Sequence, residues 1–139
     1  MRWPPPSNPE TMARPDRKSA ERRGRRAEWL AAVYLRLKGY QVLEMRARTP
    51  VGEIDILARK GNLVAIIEVK QRADRDAGLN AVPDAAWRRI GRAADARLSH
   101  KWHHLFDNDR RFDLMIVTPG LRIFHQKDTW RPDFALTRD

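Results

Sequence analysis

The stretch VGEIDILARKGNLVAIIEVKQR, from Val51 to Arg72, decides the fold of this chain. Two apolar runs flank Lys60-Gly61-Asn62, and this spacing predicts two antiparallel strands joined by a tight hairpin. Four ionisable residues interrupt the apolar runs: Glu53, Asp55, Glu68 and Lys70. A buried carboxylate is costly to remove from water unless a cation or a hydrogen-bond donor compensates it. The hairpin is therefore predicted to carry a compensated cluster of charges.

These charges can meet on one face of the hairpin. Side chains two residues apart share a face of a strand, so Glu53 lies with Asp55, and Glu68 lies with Lys70. The hairpin makes the two faces neighbours, and the carboxylates of Asp55 and Glu68 are predicted to approach within roughly 4 to 6 Å. Mg²⁺, or Mn²⁺ in its place, would stabilise two such carboxylates, and Lys70 would stabilise charge on a phosphate. Phosphodiester hydrolysis needs these groups.

A structural interpretation of the same residues stays open. Glu68 and Lys70 can form a cross-strand salt bridge at one end of the sheet, as many strand charges do. Glu53 is predicted to be structural, as a cap of the turn after Gly52. Asp55 is harder to explain in this way, because it stands in mid-strand between two isoleucines.

The segments around the hairpin predict a mixed α/β fold. Ser19 is of a type favoured at helix N-caps, and a helix is predicted from Ala20 to Lys38, ending at Gly39. Its positions 29–37 are apolar on nearly every side, which predicts a helix wedged against a sheet. The other predicted elements are a strand over 40–48, a polar loop over 73–80, a helix within 83–102, and strands over 111–118 and 121–126. The order αβββαββ corresponds to an α/β fold in which a mixed sheet of about five strands is flanked by helices.

The composition bounds the class of protein and its partners. The 139 residues suffice for one domain, and 28 Lys and Arg against 18 Asp and Glu leave a net charge of +10, which favours a nucleic acid as the partner. Residues 1–18 include five prolines and predict a flexible basic arm, with a single domain over 19–139. The absence of Cys excludes disulfides and thiolate metal sites. No apolar run is long enough for a membrane span, so a cytoplasmic location is expected.

Glu28 is a further candidate on the first predicted helix. It shares a helix face with Arg25 and Ala32. If that face meets the sheet, Glu28 can orient a water molecule of the metal site. The alternative is an exposed i, i+3 partner of Arg25 with no catalytic role.

The GEID motif, the hairpin and the EVK motif, after an early helix that carries a Glu, resemble the restriction-endonuclease-like superfamily. The motif of that superfamily is an Asp, a variable spacer, and Asp or Glu, any residue and Lys. The chain is most similar to its YraN-type family, and the likeness runs from about Glu21 to Phe134. The resemblance implies a restriction-endonuclease-like core with Asp55, Glu68 and Lys70 as catalytic residues and Glu28 as the acid from the helix.

The chain departs from that family at two supporting positions. Ala86 and Trp87 stand near the start of the second long helix, where the family usually offers a Lys, and Arg46 stands where an Asn is usual. Arg88 and Arg89 are predicted to replace the missing Lys. Phosphate contacts are expected from six arginines: Arg25, Arg46, Arg48, Arg72, Arg88 and Arg89.

The leading hypothesis is a Mg²⁺-dependent nuclease that hydrolyses DNA, rather than RNA, with branched or repair intermediates as candidate substrates. Two other hypotheses stay open: a nucleic-acid-binding module without turnover, and a structural partner of a larger DNA-processing complex. The grouped His100, His103 and His104 lack a carboxylate at matching spacing and are interpreted as cations at a helix C-terminus. Trp87 and Trp102 are predicted to lie in the core.

Overall fold

Five strands form one mixed sheet with helices on both faces. The elements are α1 (Pro9–Leu37), β1 (Gln41–Thr49), β2 (Gly52–Lys60), β3 (Leu63–Gln71), α2 (Arg75–Leu79), α3 (Asp84–His100), a 3-10 turn (His103–Leu105), β4 (Asp109–Thr118) and β5 (Arg122–Trp130). The computed structural model describes residues 9–132, with side chains from residue 21 onward. The predicted α/β class, mixed sheet and order of the long elements are confirmed.

The strands lie in the sheet in chain order, from β1 to β5. All neighbours are antiparallel except β3 and β4, which are parallel. The predicted hairpin joins β2 to β3 through Gly61 and Asn62, and Gly61 has a φ of +59° that glycine adopts without strain. Because parallel neighbours need a crossover, α2 and α3 occupy the connection between β3 and β4. This arrangement places the acidic ends of β2 and β3 beside the start of α3.

Two apolar cores form, one on each face of the sheet. The first core lies under α3 and includes Trp87, Ile90 and Leu98 from the helix with Leu57 and Ile66 from the sheet. The second lies under α1 and includes Ala27, Ala31, Ala32, Leu35, Ile56, Ile67 and Met115. Trp87 is buried in the first core, as predicted, and Trp102 packs against it. A sheet covered on both faces explains the nearly unbroken apolar runs of β3 and β4.

Helix α1 differs from its prediction in two respects. It begins at Pro9, ten residues before the expected N-cap at Ser19, since proline is tolerated in the first turn of a helix, and it continues through Pro15. The predicted arm therefore overlaps the helix over 9–18, whereas residues 1–8 lie outside the described range. The buried stripe consists mainly of small alanines, which allow close approach to the sheet, whereas Trp29 and Leu37 are 59% and 81% exposed. The predicted packing of this helix against the sheet is confirmed, but only one of its faces is buried.

The predicted polar loop over 73–80 contains the short helix α2. Asp74 caps it by accepting a hydrogen bond from the Ala77 N–H at 2.8 Å. Gly78 packs so closely on β4 that a Cβ there would lie 2.4 Å from Ile116 Cγ2. This close approach leaves no room for a side chain at position 78. Strand β5 extends to Trp130, beyond its predicted end, and residues 133–139 lie outside the described range.

No helix in the described part of the chain is long and apolar enough to span a membrane.

Candidate active site

Asp55 and Glu68 meet at the point where the ladder between β2 and β3 ends. The last paired residues are Ile56 and Ile67, and continuing this register by one step places Asp55 opposite Glu68. Their carboxyl groups are in hydrogen-bonding contact. The Val69 N–H donates to Asp55 Oδ2 at 2.8 Å. This carboxylate oxygen takes the place of the main-chain carbonyl oxygen that would accept the bond in a continuous ladder. The structure brings together the two acids that the hairpin pattern predicted to converge.

The strand β2 is irregular at Asp55. Ile54 and Leu57 belong to the core under α3, although they are three residues apart, whereas Ile56 belongs to the core under α1. Strict alternation would put Ile54 and Ile56 on the same face. The alternation of β2 is therefore broken around Asp55, although Glu53 and Leu57 both lie on the α3 side of the sheet.

The neighbouring strand β1 is irregular at the same level. Arg46 has a φ of +54°, in the left-handed region that is rare for non-glycine residues. Met45 packs towards the core under α1, whereas Ala47 lies in the core under α3. The register pairs Met45 with Ile56 and Ala47 with Ile54, so Arg46 and Asp55 fall between the same two pairs. One local distortion of two adjacent strands thus sets the directions of both side chains.

Burial raises the pKa of both acids in the pair. For Asp55, burial outweighs the hydrogen bond from the Val69 N–H, which acts to lower the pKa. For Glu68, burial and then the charge of Asp55 raise the pKa to about 8. Lys70 Nζ lies 3.7 Å from Glu68 Oε1 and opposes part of this increase. The raised pKa therefore favours the protonated form of Glu68 at neutral pH.

Glu68 and Lys70 open into a cleft of about 370 Å³ on the α3 side of the sheet. Glu53 lines one wall of this cleft, and Ala86 and Arg89 from the first turns of α3 line the other. Lys70 also lines a second cleft, of about 540 Å³, with Arg23 and Arg72. Lys70 thus lies between two clefts that arginine side chains also line. This arrangement suits the binding of a phosphate backbone.

Glu28 lies on the buried stripe of α1, on the other side of the sheet, and is 8% exposed. Arg46 Nε donates to Glu28 Oε2 at 2.6 Å, and Arg46 Nη2 donates to Glu28 Oε1 at 3.4 Å. Burial raises the pKa of Glu28 despite this pair, and the charge of Asp55 adds to the increase. The interpretation of Glu28 as an exposed partner of Arg25 was wrong, because its partner is Arg46.

The arginines predicted to bind phosphate lie in different surroundings. Arg46 pairs with Glu28 and is half-buried, whereas Arg48 is exposed, with Nε 3.9 Å from Glu53 Oε2. Arg88 Nε lies 2.7 Å from Asp84 Oδ2 on the outer face of α3. The remaining three line clefts: Arg25 beside Trp29, Arg72 in the second cleft and Arg89 in the first.

The donor set of the acid pair suits a small, hard divalent cation. Mg²⁺ is bound in proteins through one or two carboxylates and keeps several water molecules, and Asp55 and Glu68 offer two carboxylates beside an open cleft. Within residues 9–132, no group of three or more His, Asp or Glu side chains is arranged to hold a metal ion. The exposed His103 and His104, in the 3-10 turn, belong to no such group. A metal at the acid pair would need water to complete its coordination.

A family comparison places this site in context. The model of the uncharacterised protein family UPF0102 matches residues 27–117. The chain belongs to this family. It is 45% identical over 114 residues to a UPF0102 protein of Parvibaculum lavamentivorans, covering 82% of this chain and 85% of the relative. It is 50% identical over 107 residues to a UPF0102 protein of Chelativorans sp., covering 77% and 86%. The predicted YraN-type family is confirmed at this level.

The UPF0102 match contains the acid pair, Lys70 and the Glu28–Arg46 ion pair. It begins after Arg25 and Arg26, so the basic first half of α1 lies outside the matched segment. The match ends at Val117 and thus excludes β5. The candidate site belongs to the part of the chain that the family shares, whereas part of the basic surface does not.

Sequence reasoning missed a buried polar network in this UPF0102 fold. Asp113 is fully buried in β4 and accepts hydrogen bonds at 2.8 Å from Arg111 Nε and Nη2. His125 Nε2 lies 2.8 Å from Asp113 Oδ2, and the Asp128 N–H donates to Oδ1 at 3.0 Å. Arg111 also donates to the Tyr40 hydroxyl at 2.6 Å. Burial acts to raise the pKa of Asp113, but the hydrogen bonds hold it below its usual value. The position of Asp113 within the apolar run of β4 was the sequence signal that could have predicted this network.

Proposed function

We propose that this UPF0102 protein is a divalent-metal-dependent nuclease that hydrolyses DNA phosphodiester bonds on a restriction-endonuclease-like core. The observation that carries the proposal is the contact between the carboxyl groups of Asp55 and Glu68, where Glu68 and Lys70 also line an open cleft. The net charge of +10 supports a polyanionic substrate. The GEID and EVK motifs support the superfamily assignment.

Asp55 and Glu68 would hold the cation, since both present carboxyl oxygens at one end of the hairpin. When bound, Mg²⁺ or Mn²⁺ would supply Lewis-acid stabilisation of the phosphate oxygens. Lys70 presents its ammonium to the same cleft, where it stabilises negative charge that develops on the phosphate. The Val69 N–H fixes the orientation of Asp55 by its hydrogen bond to Oδ2.

Cation binding at this site requires the loss of a proton. Because the pKa of Glu68 is raised to about 8, its protonated form is favoured at neutral pH. Asp55 and Glu68 would therefore hold a divalent cation more tightly as the pH rises towards the pKa of Glu68. Activity that depends on this site is therefore expected to rise with pH between neutrality and about 8.

Arg46 is proposed as a positioning residue. It neutralises Glu28 on the α1 side, and the charge of Asp55 acts on both members of this ion pair. An unpaired Glu28 anion would further disfavour ionisation of Asp55. Arg46 thereby supports the ionised state that the cation requires.

A cleavage panel tests the proposed function. The full chain is incubated with linear, nicked, flapped and four-way DNA, and with RNA, in the presence of Mg²⁺, Mn²⁺ or EDTA. We expect cleavage of DNA that requires the cation and is abolished in Asp55→Asn. The matched control is Asp107→Asn, which neutralises an exposed acid outside the clefts. Cleavage that survives Asp55→Asn would refute the assignment of this site.

A nucleic-acid-binding module without turnover is the second candidate function. The pairing of Glu28 with Arg46 favours this candidate, because a Glu28 carboxylate bound to Arg46 is not free to assist hydrolysis. This candidate predicts DNA binding in EDTA without cleavage of any substrate in the panel. A role as a partner of a DNA-processing complex predicts neither binding nor cleavage by the isolated chain.

A further inference from the structure

We propose that Trp29 and the arginines around it bind an unpaired nucleobase of the substrate strand. This inference deepens the proposed function and rests on it for the identity of the substrate. Trp29 is 59% exposed on α1, although Ala27, Ala31 and Ala32 of the same helix are buried. It lines a cleft of about 390 Å³ with Arg25, Arg26, Met45 and Arg46.

The cleft offers the two kinds of surface that a nucleotide needs. The exposed indole face of Trp29, next to Met45, provides a flat apolar surface, and bases stack on such aromatic side chains irrespective of sequence. Arg25 and Arg26 precede Trp29 by four and three residues, so they flank it on the same side of the helix. Their guanidinium groups can contact the phosphates on either side of a stacked base.

The charge of the cleft favours a nucleic acid over an apolar protein segment. Glu28 is the acid that lines it, and Arg46 neutralises this carboxylate. Arg25 and Arg26 are exposed and add two positive charges beside the indole. A base in a duplex has both faces covered by its neighbours, so the indole can stack only on a base that is unpaired or at a strand end.

The cleft is linked to the acid pair through the distorted strand β1. Arg46 lines the cleft with Trp29, and the charge of Asp55 acts on Arg46. A strand held by Trp29 on the α1 side therefore lies next to the level of the sheet at which Arg46 and Asp55 stand opposite each other on β1 and β2. The inferred substrate class is DNA with unpaired nucleotides next to the cleaved phosphate, such as a flap or a single-stranded end.

Binding measurements in EDTA test the inference separately from catalysis. Fluorescence anisotropy of the full chain, carrying Glu68→Gln to prevent turnover, compares three labelled probes of equal length. These are a mixed-sequence single strand, a duplex, and a strand whose sugar-phosphate backbone carries no bases. Trp29→Ala removes the stacking surface, Trp29→Phe retains an aromatic ring, and Leu37→Ala removes another exposed apolar side chain of α1 as the control.

We expect Trp29→Ala to weaken binding of the single strand by roughly five- to a hundredfold, the usual effect of removing one stacked base. Trp29→Phe should recover most of this loss, and Leu37→Ala should have little effect. Affinity for the duplex and for the base-free strand should change by less than about twofold, because the arginines supply those contacts. Single-stranded DNA should also quench a tryptophan signal that Trp29→Phe lacks.

Three results would overturn the inference. One is an equal loss of affinity for the base-free strand, which would show that Trp29 supports the fold or the arginines rather than a base. Another is unchanged binding of the single strand in Trp29→Ala. The third is a dimer in sedimentation that Trp29→Ala dissociates, because the indole would then contact a second copy of the chain. If the panel shows no cleavage but Trp29→Ala weakens binding only of the strand that carries bases, the proposed nuclease activity would be refuted and the proposed base-binding site would be retained.

Discussion

Replacing Glu68 by Gln should stabilise the metal-free protein at alkaline pH. The carboxyl group of Glu68 is buried beside Asp55, and these two conditions raise its pKa from 4.5 to about 8. Folding therefore favours the protonated form of Glu68, whereas the unfolded chain releases the proton near pH 4.5. Gln keeps the shape of the protonated acid and can donate an N–H to Asp55, but it never acquires the buried charge.

The magnitude follows from the two pKa values of Glu68. Between them the folded state binds the proton that the unfolded state has released, so wild-type stability falls as pH rises from 4.5 to about 8. The loss is complete above the folded-state pKa. Linkage gives a cost of about 1 kcal/mol at pH 5 and about 5 kcal/mol at pH 8.5. Because Gln carries no charge at either pH, the advantage of the variant should grow by about 4 kcal/mol over this range.

Urea unfolding of wild type and Glu68→Gln, in EDTA at constant ionic strength, measures this difference at both pH values. The control is Glu53→Gln, which removes another carboxylate from the same cleft. The side chain of Glu53 is 43% exposed. The effect of Glu53→Gln on stability should be much smaller than that of Glu68→Gln, because the Glu53 side chain is in contact with water. A variant that is less stable than wild type at pH 8.5, or a difference that does not change with pH, would refute the buried proton of the acid pair.

Three further predictions follow from the same contacts. Mg²⁺ should raise the melting temperature of wild type more at pH 8.5 than at pH 6, and Asp55→Asn should abolish this increase in calorimetry. Lys70→Ala should reduce cleavage by roughly a hundred- to a thousandfold while anisotropy shows nearly unchanged DNA affinity, and equal losses of both would contradict its role. Arg46→Ala should destabilise the fold by about 1 to 3 kcal/mol, because it leaves the Glu28 carboxylate buried without its partner. Adding Glu28→Gln should restore most of that stability in chemical unfolding.

Local patterns were sufficient to predict most of the fold. Apolar runs of strand length, the Gly61-Asn62 turn and the helical spacing around Ile90 each depend on neighbours in the chain. These features identified all five strands, and α3 was expected within 83–102 and found at Asp84–His100. The contact of Asp55 with Glu68 followed as well, because a hairpin register relates two strands directly.

Contacts between distant segments account for what sequence reasoning missed. The partner of Glu28 is Arg46, eighteen residues away, and no helical spacing relates the two. Asp113 likewise depends on His125, which lies twelve residues further along the chain on β5. The exposure of Trp29 depends on which face of α1 meets the sheet, and the small alanines rather than the large apolar residues occupy that face. Tertiary packing determines these partners and this exposure, and the local sequence pattern does not predict them.

The distortion shared by β1 and β2 explains why acids from both faces of the sheet act on one another. In regular strands Arg46 and Asp55 would each follow the alternation of their neighbours. The left-handed backbone of Arg46 breaks that alternation, and its side chain pairs with Glu28 on the α1 side. At the same level Asp55 leaves the ladder, accepts the Val69 N–H and contacts Glu68 on the α3 side. Backbone distortions of this kind are over-represented next to active sites, where they redirect a side chain. The break therefore positions the acid pair and also directs the guanidinium of Arg46 to Glu28 on the opposite face of the sheet.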